Sequence, residues 1–369
     1  MYDFLIIGAG LFGSVFAHEA SQKGARCLVL EKRNHIGGNV FCEDIEGITV
    51  HKHGAHIFHT SDKFIWDYIN SFADFNNYVH SPIANYDGEL YNLPFNMNTF
   101  YTLWGARTPE EAKTVIKKQR LGITDPKNLE KYAISIFGVD IYEKLIRSNI
   151  EKLWDRKCTD LPPSTLERLP MRFTFNNNYF SNQYQGIPIG GYNQIIEKML
   201  AKCDVKLSTD FFADESRYRH IADRIIYTGM IDEYFNYCYG ELEYRSISRE
   251  TEVLDISNFQ GNAVVNYTSP NASYMSIVEH KHFEFGTQDN TALTYEYPIE
   301  YTPGLEPYYP VRDEHNLALF EQYRLLAEKE KNVIFGGRLA TFQYLSMEQT
   351  IFAAMQTFKL TEDEAYRLM

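Results

Sequence analysis

Three glycines near the start of the chain have the spacing of a phosphate-binding loop. Gly8, Gly10 and Gly13 fit GxGxxG, directly after the apolar run 2–7 and just before a predicted helix over 14–23. In a βα turn of this kind, backbone N–H groups and the positive end of the helix dipole bind phosphate oxygens. The pattern therefore predicts that this segment binds the diphosphate of a dinucleotide.

A carboxylate and a second glycine pair indicate which dinucleotide is bound. Glu31 ends the next apolar run, 26–31, where a carboxylate can hold ribose hydroxyls. KRNHIGGN follows, and glycines at this place are common in flavoproteins and unusual in NAD dehydrogenases. The chain also has a single GxGxxG, so FAD is favoured over NAD. The residues of this region predicted to contact the cofactor are Gly8, Gly10, Leu11, Phe12, Gly13, Glu31, Lys32, Gly38 and Asn39.

Short apolar runs that end in glycine occur at 2–7, 223–229 and 332–337, far apart in the chain. They predict an α/β fold with a discontinuous Rossmann-like FAD-binding domain. Residues 98–160 have helical patterns, and 241–300 alternate as an antiparallel sheet does. The predicted domains are an FAD-binding domain (1–78, 190–240 and 314–369), a helical substrate-loop domain (98–165) and an antiparallel sheet domain (79–97, 166–189 and 241–313).

The composition excludes several classes of partner. The formal net charge of −13 over 369 residues argues against non-specific binding to nucleic acid or anionic membranes. It leaves room for an anionic small substrate bound by a few local arginines. Five scattered cysteines without a CxxC pair indicate reduced thiols and predict neither a disulfide framework nor a metal site. Without a leader segment or a run of ~20 apolar residues, we expect a cytoplasmic protein with no membrane insertion.

Several long stretches of the chain resemble the bacterial UDP-galactopyranose mutase family. The resemblance runs from residue 2 to about residue 357. The stretches that carry it are GAHIFHT (54–60), LPMRFTFNNNYF (169–180), YQGIPIGGY (184–192), EHKHFEFG (279–286), EPYYPVR (306–312) and FGGRL (335–339).

The resemblance implies a flavin-dependent reaction without net redox turnover. In this family N5 of reduced FAD attacks the anomeric carbon of a nucleotide sugar and displaces the nucleoside diphosphate, so that the sugar changes between pyranose and furanose forms. The protein supplies binding and electrostatics. The resemblance also implies an external reductant such as NAD(P)H, and a homodimer.

Matching the motifs assigns roles around the reacting centre. Arg172 corresponds to an arginine that holds the sugar diphosphate, a task suited to the rigid guanidinium fork. His56 and His59 correspond to a pair that faces the flavin. Arg338 corresponds to an arginine near flavin and substrate, and Met347 to a flavin contact at the start of the last helix.

The same matching assigns four further substrate residues. Tyr309 and Tyr344 correspond to tyrosines that donate to the diphosphate. Trp154 corresponds to a tryptophan of the mobile substrate loop, and Tyr179 lies in the motif that contains Arg172.

The chain departs from the family pattern at two charged positions. Ser276 stands where the family has a second diphosphate-binding arginine, and Ser346 stands where it has an aspartate. A lost arginine–phosphate contact costs on the order of 2–4 kcal/mol unless it is replaced. Because one residue of each charge is lost, we hypothesise that the two positions are neighbours.

Other departures also concern residues assigned to the substrate. The family loop YTxKQWG is NIEKLWD here, which puts Asn149 at the position of the nucleobase-contacting tyrosine and Leu153 and Asp155 at two further altered positions. His80 replaces an asparagine near the sugar. The residues assigned to FAD all fit.

Four functions remain open at this point. The chain is a UDP-galactose mutase with altered diphosphate binding, or it performs the same ring contraction on another nucleotide sugar such as dTDP-fucose. A flavin oxidoreductase similar to amine oxidases, and a nucleotide-sugar binder without catalysis, are the alternatives from other classes.

Overall fold

The computed structural model of the chain describes residues 1–166 and 169–368, with the backbone alone over 363–368. The strands in this part of the chain are β1 (Tyr2–Ile7), β2 (Cys27–Leu30), β3 (Cys42–Ile45), β4 (Ile48–His51), β5 (Phe58–Thr60), β6 (Ile83–Tyr86), β7 (Glu89–Asn92), β8 (Tyr184–Gly186), β9 (Asp204–Lys206), β10 (Ala222–Tyr227), β11 (Tyr244–Leu254), β12 (Val264–Tyr267), β13 (Ser276–Glu279), β14 (Thr291–Glu300), β15 (Tyr309–Pro310) and β16 (Val333–Phe335).

Helices of very different lengths connect these strands. A π-helical turn over Tyr142–Ile146 joins helix α6 (Val139–Ile141) to helix α7 (Arg147–Trp154). The helices are α1 (Leu11–Gln22), α2 (Lys63–Asn70), α3 (Met97–Trp104), α4 (Pro109–Gln119), α5 (Leu129–Phe137), α6 (Val139–Ile141), α7 (Arg147–Trp154), α8 (Asn193–Leu200), α9 (Glu215–Tyr218), α10 (Ile231–Tyr234), α11 (Glu314–Ala327), α12 (Gly337–Ala340) and α13 (Met347–Leu368).

A five-stranded parallel sheet, ordered β16-β10-β1-β2-β9, brings together strands from the beginning, middle and end of the chain. Phe16 of α1 and Ile351 of α13 are fully buried on one face of this sheet, with Ile6. Leu5 and Tyr227 are buried on the other face. A parallel sheet buried on both faces is the Rossmann arrangement. The predicted fold class, with its discontinuous nucleotide-binding domain, is confirmed; the residue boundaries of the three domains stay a prediction.

The first helix begins three residues earlier than predicted. α1 starts at Leu11, with Gly10 as its N-cap in an extended conformation, so that Gly13 lies inside the helix. A Cβ atom built on Gly13 would lie 2.1 Å from the carbonyl oxygen of Gly8. The helix can start this close to β1 because Gly13 has no side chain.

The second sheet has seven strands, ordered β15-β11-β14-β13-β12-β6-β7. The prediction of antiparallel pairing is wrong at one place, because β12 runs parallel to β6, with Val265 opposite Ile83. The β6–β7 hairpin comes from a distant part of the chain, so its direction is not set by a tight turn to β12. β8 lies outside this sheet and pairs with β5, where Gln185 is opposite His59.

Helices α3 to α7 form a separate group with its own core, in which Phe100, Phe137 and Tyr142 are buried. α4 starts with a reciprocal capping box between Thr108 and Glu111, which satisfies two free N–H groups of its first turn. α7 differs from its neighbours, since none of its side chains is buried.

α13 is 22 residues long and packs along α1, with Ile351 and Ala354 buried between them. Among the residues whose structure is described, no helix has the length and apolar character needed to cross a bilayer.

Candidate active site

A large cavity opens at the carboxyl ends of the parallel strands. It encloses about 1300 Å³, part of it open to solvent, which is ample for a dinucleotide. All the residues predicted to contact the cofactor line it: Gly8, Gly10, Leu11, Phe12, Gly13, Glu31, Lys32, Gly38, Asn39, His56, Arg338 and Met347. We call it the cofactor cavity.

The glycine loop is packed so closely that side chains are excluded at two further points. Gly8 has a φ of +106°, and a Cβ there would lie 2.2 Å from the Thr228 hydroxyl oxygen. A Cβ on Gly38 would lie 2.9 Å from the Cα of Gly10. Position 10 itself has room for a side chain, because a Cβ built on Gly10 would lie 3.9 Å from its nearest neighbour, the Cα of Gly38. The packing of the protein alone therefore does not explain the glycine at position 10, which fits a bound ligand.

The first turn of α1 offers free backbone donors to this cavity. Its N-cap is Gly10, which has no side chain that could accept from the first N–H groups of the helix. Helix N-termini of this kind bind phosphate through N–H groups and the helix dipole. Glu31, only 5% exposed, accepts hydrogen bonds of 2.9 Å from the N–H groups of Ala9 and Arg33, so its carboxylate is held at the loop with acceptor capacity to spare.

Sequence reasoning missed part of the cavity wall. The residues just after β10, Thr228 to Met230, line the cavity, as does the pair Arg33 and Glu306. The glycine at the end of the predicted strand 223–229 was a usable signal for the first group. Nothing local indicated the ion pair, whose partners are 273 positions apart.

Aromatic and guanidinium groups meet at one end of the cofactor cavity. The rings of Tyr309 and Tyr344 stack with centroids 5.6 Å apart, and the Arg338 guanidinium lies 4.5 Å from the centre of the Tyr344 ring. Arg338 Nε also donates to the Leu345 carbonyl at 2.7 Å. Phenol donors beside a fixed cation form a suitable site for an anion.

The two predicted flavin-facing histidines occupy different places. His56 lines the cofactor cavity, and burial lowers its pKa to about 4. His59 does not line it; its ring stacks on Phe180 with centroids 3.7 Å apart and bonds Asn182 at 2.9 Å. Burial also lowers the pKa of His59. Both rings are neutral at pH 7 and can act by hydrogen bonding.

A third histidine, His280, should make the stability of the protein depend on pH. Its Nδ1 accepts from the N–H of His51 at 3.2 Å and its Nε2 lies 2.8 Å from the Thr294 hydroxyl, an arrangement that requires a neutral ring. Burial, with a smaller contribution from Arg249, lowers its pKa to about 3. In the unfolded chain this histidine has a pKa of about 6.5, so between about pH 6.5 and pH 3 it binds a proton that it does not bind in the folded chain.

The free energy of unfolding should therefore fall as the pH is lowered from about 6.5 towards 3. In His280→Gln this fall should be shallower by up to about 1.4 kcal/mol per pH unit. Urea unfolding of the apoprotein across this range measures it. The exposed His315→Gln serves as the control, and equal slopes in the two variants would contradict the prediction.

Ser276 lies in a buried polar row that crosses three strands. Its hydroxyl donates to Glu296 Oε2 at 2.6 Å, and Arg249 Nε donates to Glu296 Oε1 at 2.9 Å. The side chains of Arg249 and Glu296 are only 11% and 12% exposed. Arg249 also lies over the ring of Tyr308, 4.5 Å from its centre. The sequence analysis did not identify Arg249 or Glu296.

Ser346 has a structural task at the start of α13. Its hydroxyl accepts from the N–H of Gln349 at 3.1 Å, and its own N–H donates to the Gln349 side chain at 2.9 Å. This reciprocal cap could have been read from the spacing Ser-x-x-Gln. Because Ser276 bonds Glu296 instead, the structure gives no support to the hypothesis that Ser276 and Ser346 are neighbours.

A second cavity of about 740 Å³, part of it open to solvent, lies between α7 and strand β12. Three predicted substrate residues, His80, Asn149 and Tyr179, line it. Asn149 Oδ1 and the hydroxyl of Thr268 are buried in its wall and have no hydrogen-bond partner among the residues described. Polar atoms left unpaired in a cavity wall suit a polar ligand.

The remaining predicted substrate residues line neither cavity: Trp154, Arg172, Ser276, Tyr309, Tyr344 and Ser346. The Arg172 guanidinium donates to the backbone carbonyls of Asn178 and Tyr179, the latter at 3.0 Å. Trp154 ends α7 and packs against the helical core. Arg172 is nevertheless close to the second cavity through Tyr179, whose pKa is raised by burial and by the nearby Tyr344. Tyr179, in the wall of the second cavity, thus lies in the neighbourhood of Tyr344 and of the Arg338 end of the first.

Comparison with known proteins identifies the family. Residues 144–344 match the family described as UDP-galactopyranose mutase, and residues 6–72 match the NAD(P)-binding Rossmann-like domain. A probable UDP-galactopyranose mutase of Klebsiella pneumoniae is 34% identical over 363 residues, which cover 96% of this chain and 93% of the relative. The chain belongs to the UDP-galactopyranose mutase family.

Other members of the UDP-galactopyranose mutase family bear this out. A dTDP-fucopyranose mutase of Escherichia coli is 31% identical over 98% of both chains. A solved structure of reduced UDP-galactopyranose mutase has the same fold, with a TM-score of 0.77 over 100% of this chain and 96% of that one, at 15% identity. The chain is therefore an isomerase of the pyranose–furanose mutase type, and its family implies FAD.

Proposed function

We propose that this mutase binds FAD in the cofactor cavity and works with the flavin in its reduced form. The supporting observation is that all twelve predicted cofactor residues line one cavity, whose glycine at position 10 is left unexplained by the packing of the protein. The first turn of α1 would hold the pyrophosphate and Glu31 the ribose. When bound and reduced, FAD supplies a nucleophilic nitrogen for the anomeric carbon.

The residues around that carbon bind and orient the substrate. Arg172, Tyr309 and Tyr344 hold the diphosphate as it becomes the leaving group, and Arg338 adds positive charge beside them. The neutral His56 and His59 exchange hydrogen bonds with flavin or sugar hydroxyls. Family membership assigns Trp154, at the end of α7, to the substrate, and assigns His80, in the wall of the second cavity, to the sugar.

The second cavity takes the nucleobase. Asn149 offers an amide donor and acceptor to the edge of a pyrimidine, and Thr268 offers a hydroxyl. The buried Arg249 compensates in part for the missing arginine at position 276, because only one of its nitrogens is used by Glu296. Neither serine contacts the substrate directly in this proposal. Ser276 orients Glu296 through a hydrogen bond, and Ser346 caps the start of α13.

The substrate is UDP-galactopyranose or dTDP-fucopyranose. These are the sugars in the names of the two relatives, and the aliphatic wall of the second cavity, with Leu145, Ile146 and Ile150, would surround the methyl group of a thymine. Family membership also leads us to propose an external reductant such as NAD(P)H and a homodimer. The cytoplasmic location proposed from the sequence is kept.

Product analysis of the dithionite-reduced enzyme tests this function. We expect a furanose product from UDP-galactose or dTDP-fucose, with one dithionite reduction supporting many turnovers. UDP-N-acetylgalactosamine and other dTDP-deoxysugars complete the panel. Reductant consumed in proportion to product would instead indicate an oxidoreductase, and binding without any product would indicate a nucleotide-sugar binder.

A further inference from the structure

We propose that Lys152 is a positioning residue that holds the two walls of the second cavity together. The inference rests on the proposed function, since it assigns the cavity to the nucleotide. The ammonium group of Lys152 reaches from α7 to the turn between β12 and β13, residues 268–275. We call this set of contacts the Lys152 clasp.

The clasp consists of one ammonium group and four backbone carbonyls. Lys152 Nζ lies 2.6 Å from the carbonyl oxygen of Tyr267, 3.2 Å from Ser269, 3.3 Å from Ala272 and 3.2 Å from Tyr274. An ammonium has three protons to donate, so every one of them has an acceptor. No carboxylate pairs with Lys152 within the described part of the chain, which distinguishes it from the surface lysines in ion pairs.

Burying this charge has a cost that the carbonyls offset. Desolvation lowers the pKa of Lys152 to about 8, so the group is still mainly an ammonium at neutral pH. Four carbonyl dipoles directed at it favour the charged form. Removal of the ammonium would leave these carbonyls without the donor they now share.

Both ends of the clasp belong to the cavity wall. On α7, Asn149 precedes Lys152 by three residues and therefore lies on nearly the same side of the helix. On the turn, Thr268 stands between Tyr267 and Ser269, whose carbonyls accept from Lys152. Asn149 and Thr268 each carry a buried polar atom of the cavity wall without a hydrogen-bond partner among the described residues. The clasp thus sets the distance between the two groups that would bind the nucleobase.

α7 depends on polar contacts for its position. No side chain of the helix is fully buried, and its apolar contact with the helical core is made by two partly buried residues, Ile150 and Trp154. Its position therefore depends more on polar contacts than that of a helix with a buried face. A further polar contact with the large sheet is a hydrogen bond of 2.8 Å from Arg245 Nε to the carbonyl of Leu153. The turn is held independently, since Ser269 donates to Asp87 at 2.6 Å and the N–H of Thr268 donates to Asn85 at 3.0 Å. Loss of the clasp should therefore release the helix and leave the sheet folded.

The test compares Lys152→Met, which keeps the length of the side chain without its donors, with Lys152→Arg and with Lys157→Met. Lys157 is 71% exposed and serves as the matched control. For each protein we would measure UDP and dTDP binding by calorimetry, kcat and KM, FAD content, and amide hydrogen exchange. In Lys152→Met we expect at least tenfold weaker nucleotide binding, a larger change in KM than in kcat, and faster exchange in α7 only. Lys152→Arg should recover part of the affinity, and Lys157→Met should resemble wild type.

Two results would overturn the clasp. One is unchanged nucleotide affinity and unchanged exchange in α7 of Lys152→Met. The other is loss of FAD with faster exchange in α1 and the parallel sheet, which would show a general structural role. Failure of the proposed function looks different, because the wild-type enzyme itself would then neither bind nor convert a nucleotide sugar.

Discussion

Arg172→Ala should lower turnover of the nucleotide sugar by roughly 30- to 1,000-fold while FAD stays bound, which corresponds to about 2–4 kcal/mol of lost diphosphate binding. Two losses combine. The guanidinium no longer meets the diphosphate, and the segment that carries Tyr179 loses the two hydrogen bonds that Arg172 donates to it. FAD should be retained because Arg172 does not line the cofactor cavity. Steady-state kinetics of the reduced enzyme, with the flavin absorbance of the purified protein, measure both effects.

Two further variants complete this experiment: one distinguishes the charge of Arg172 from the shape of its guanidinium group, and the other is a surface control. Arg172→Lys keeps the charge but cannot form the planar fork, so its turnover should fall between those of wild type and Arg172→Ala. Arg217→Ala removes an exposed arginine of α9 that lines neither cavity and should have no effect. Near-normal turnover in Arg172→Ala would show that the diphosphate lies elsewhere.

Gly10→Ala should weaken FAD binding by roughly 10- to 100-fold, since an extra methyl group in a filled site costs about 1–3 kcal/mol. Its φ of −76° is allowed for alanine, and the added Cβ would lie 3.9 Å from its nearest neighbour. The apoprotein should therefore be as stable as wild type or slightly more stable. Fluorescence titration with FAD, beside thermal unfolding of the apoprotein, measures the two quantities separately.

Gly24→Ala should show the opposite pattern. Gly24 follows α1 with a φ of +88° and open space around it, so alanine is strained there but far from the cofactor cavity. It should lower the stability of the apoprotein by about 1 kcal/mol and leave FAD affinity unchanged. Normal FAD binding in Gly10→Ala would mean that the pyrophosphate does not approach this residue.

The departures from the family pattern have a structural setting that changes their interpretation. From the sequence, Ser276 was a loss of positive charge. In the structure its hydroxyl and the Arg249 guanidinium occupy the two oxygens of one carboxylate, Glu296. A buried arginine is thus present two strands away from the position where the family has one. The positive charge that is missing at position 276 therefore has a counterpart nearby, the guanidinium group of Arg249.

The sequence by itself determined the features that depend on neighbouring residues. The glycine loop before α1, the carboxylate of Glu31 and the cap at Thr108 follow from local conformational and hydrogen-bonding requirements. The family was also identifiable from sequence, because long motifs such as YQGIPIGGY and EHKHFEFG are continuous in the chain. The start of α1 was placed late because a glycine in the helix, Gly13, looked like part of the loop.

Only the tertiary structure decided which distant residues meet. The row of Ser276, Glu296 and Arg249 depends on the register of three strands, and the parallel pairing of β6 with β12 depends on which edge is free. The Lys152 clasp depends on a turn more than a hundred positions away, whose acceptors are backbone carbonyls and have no signature in residue type. Local patterns reflect interactions within a few residues, whereas these contacts depend on the arrangement of whole strands and helices.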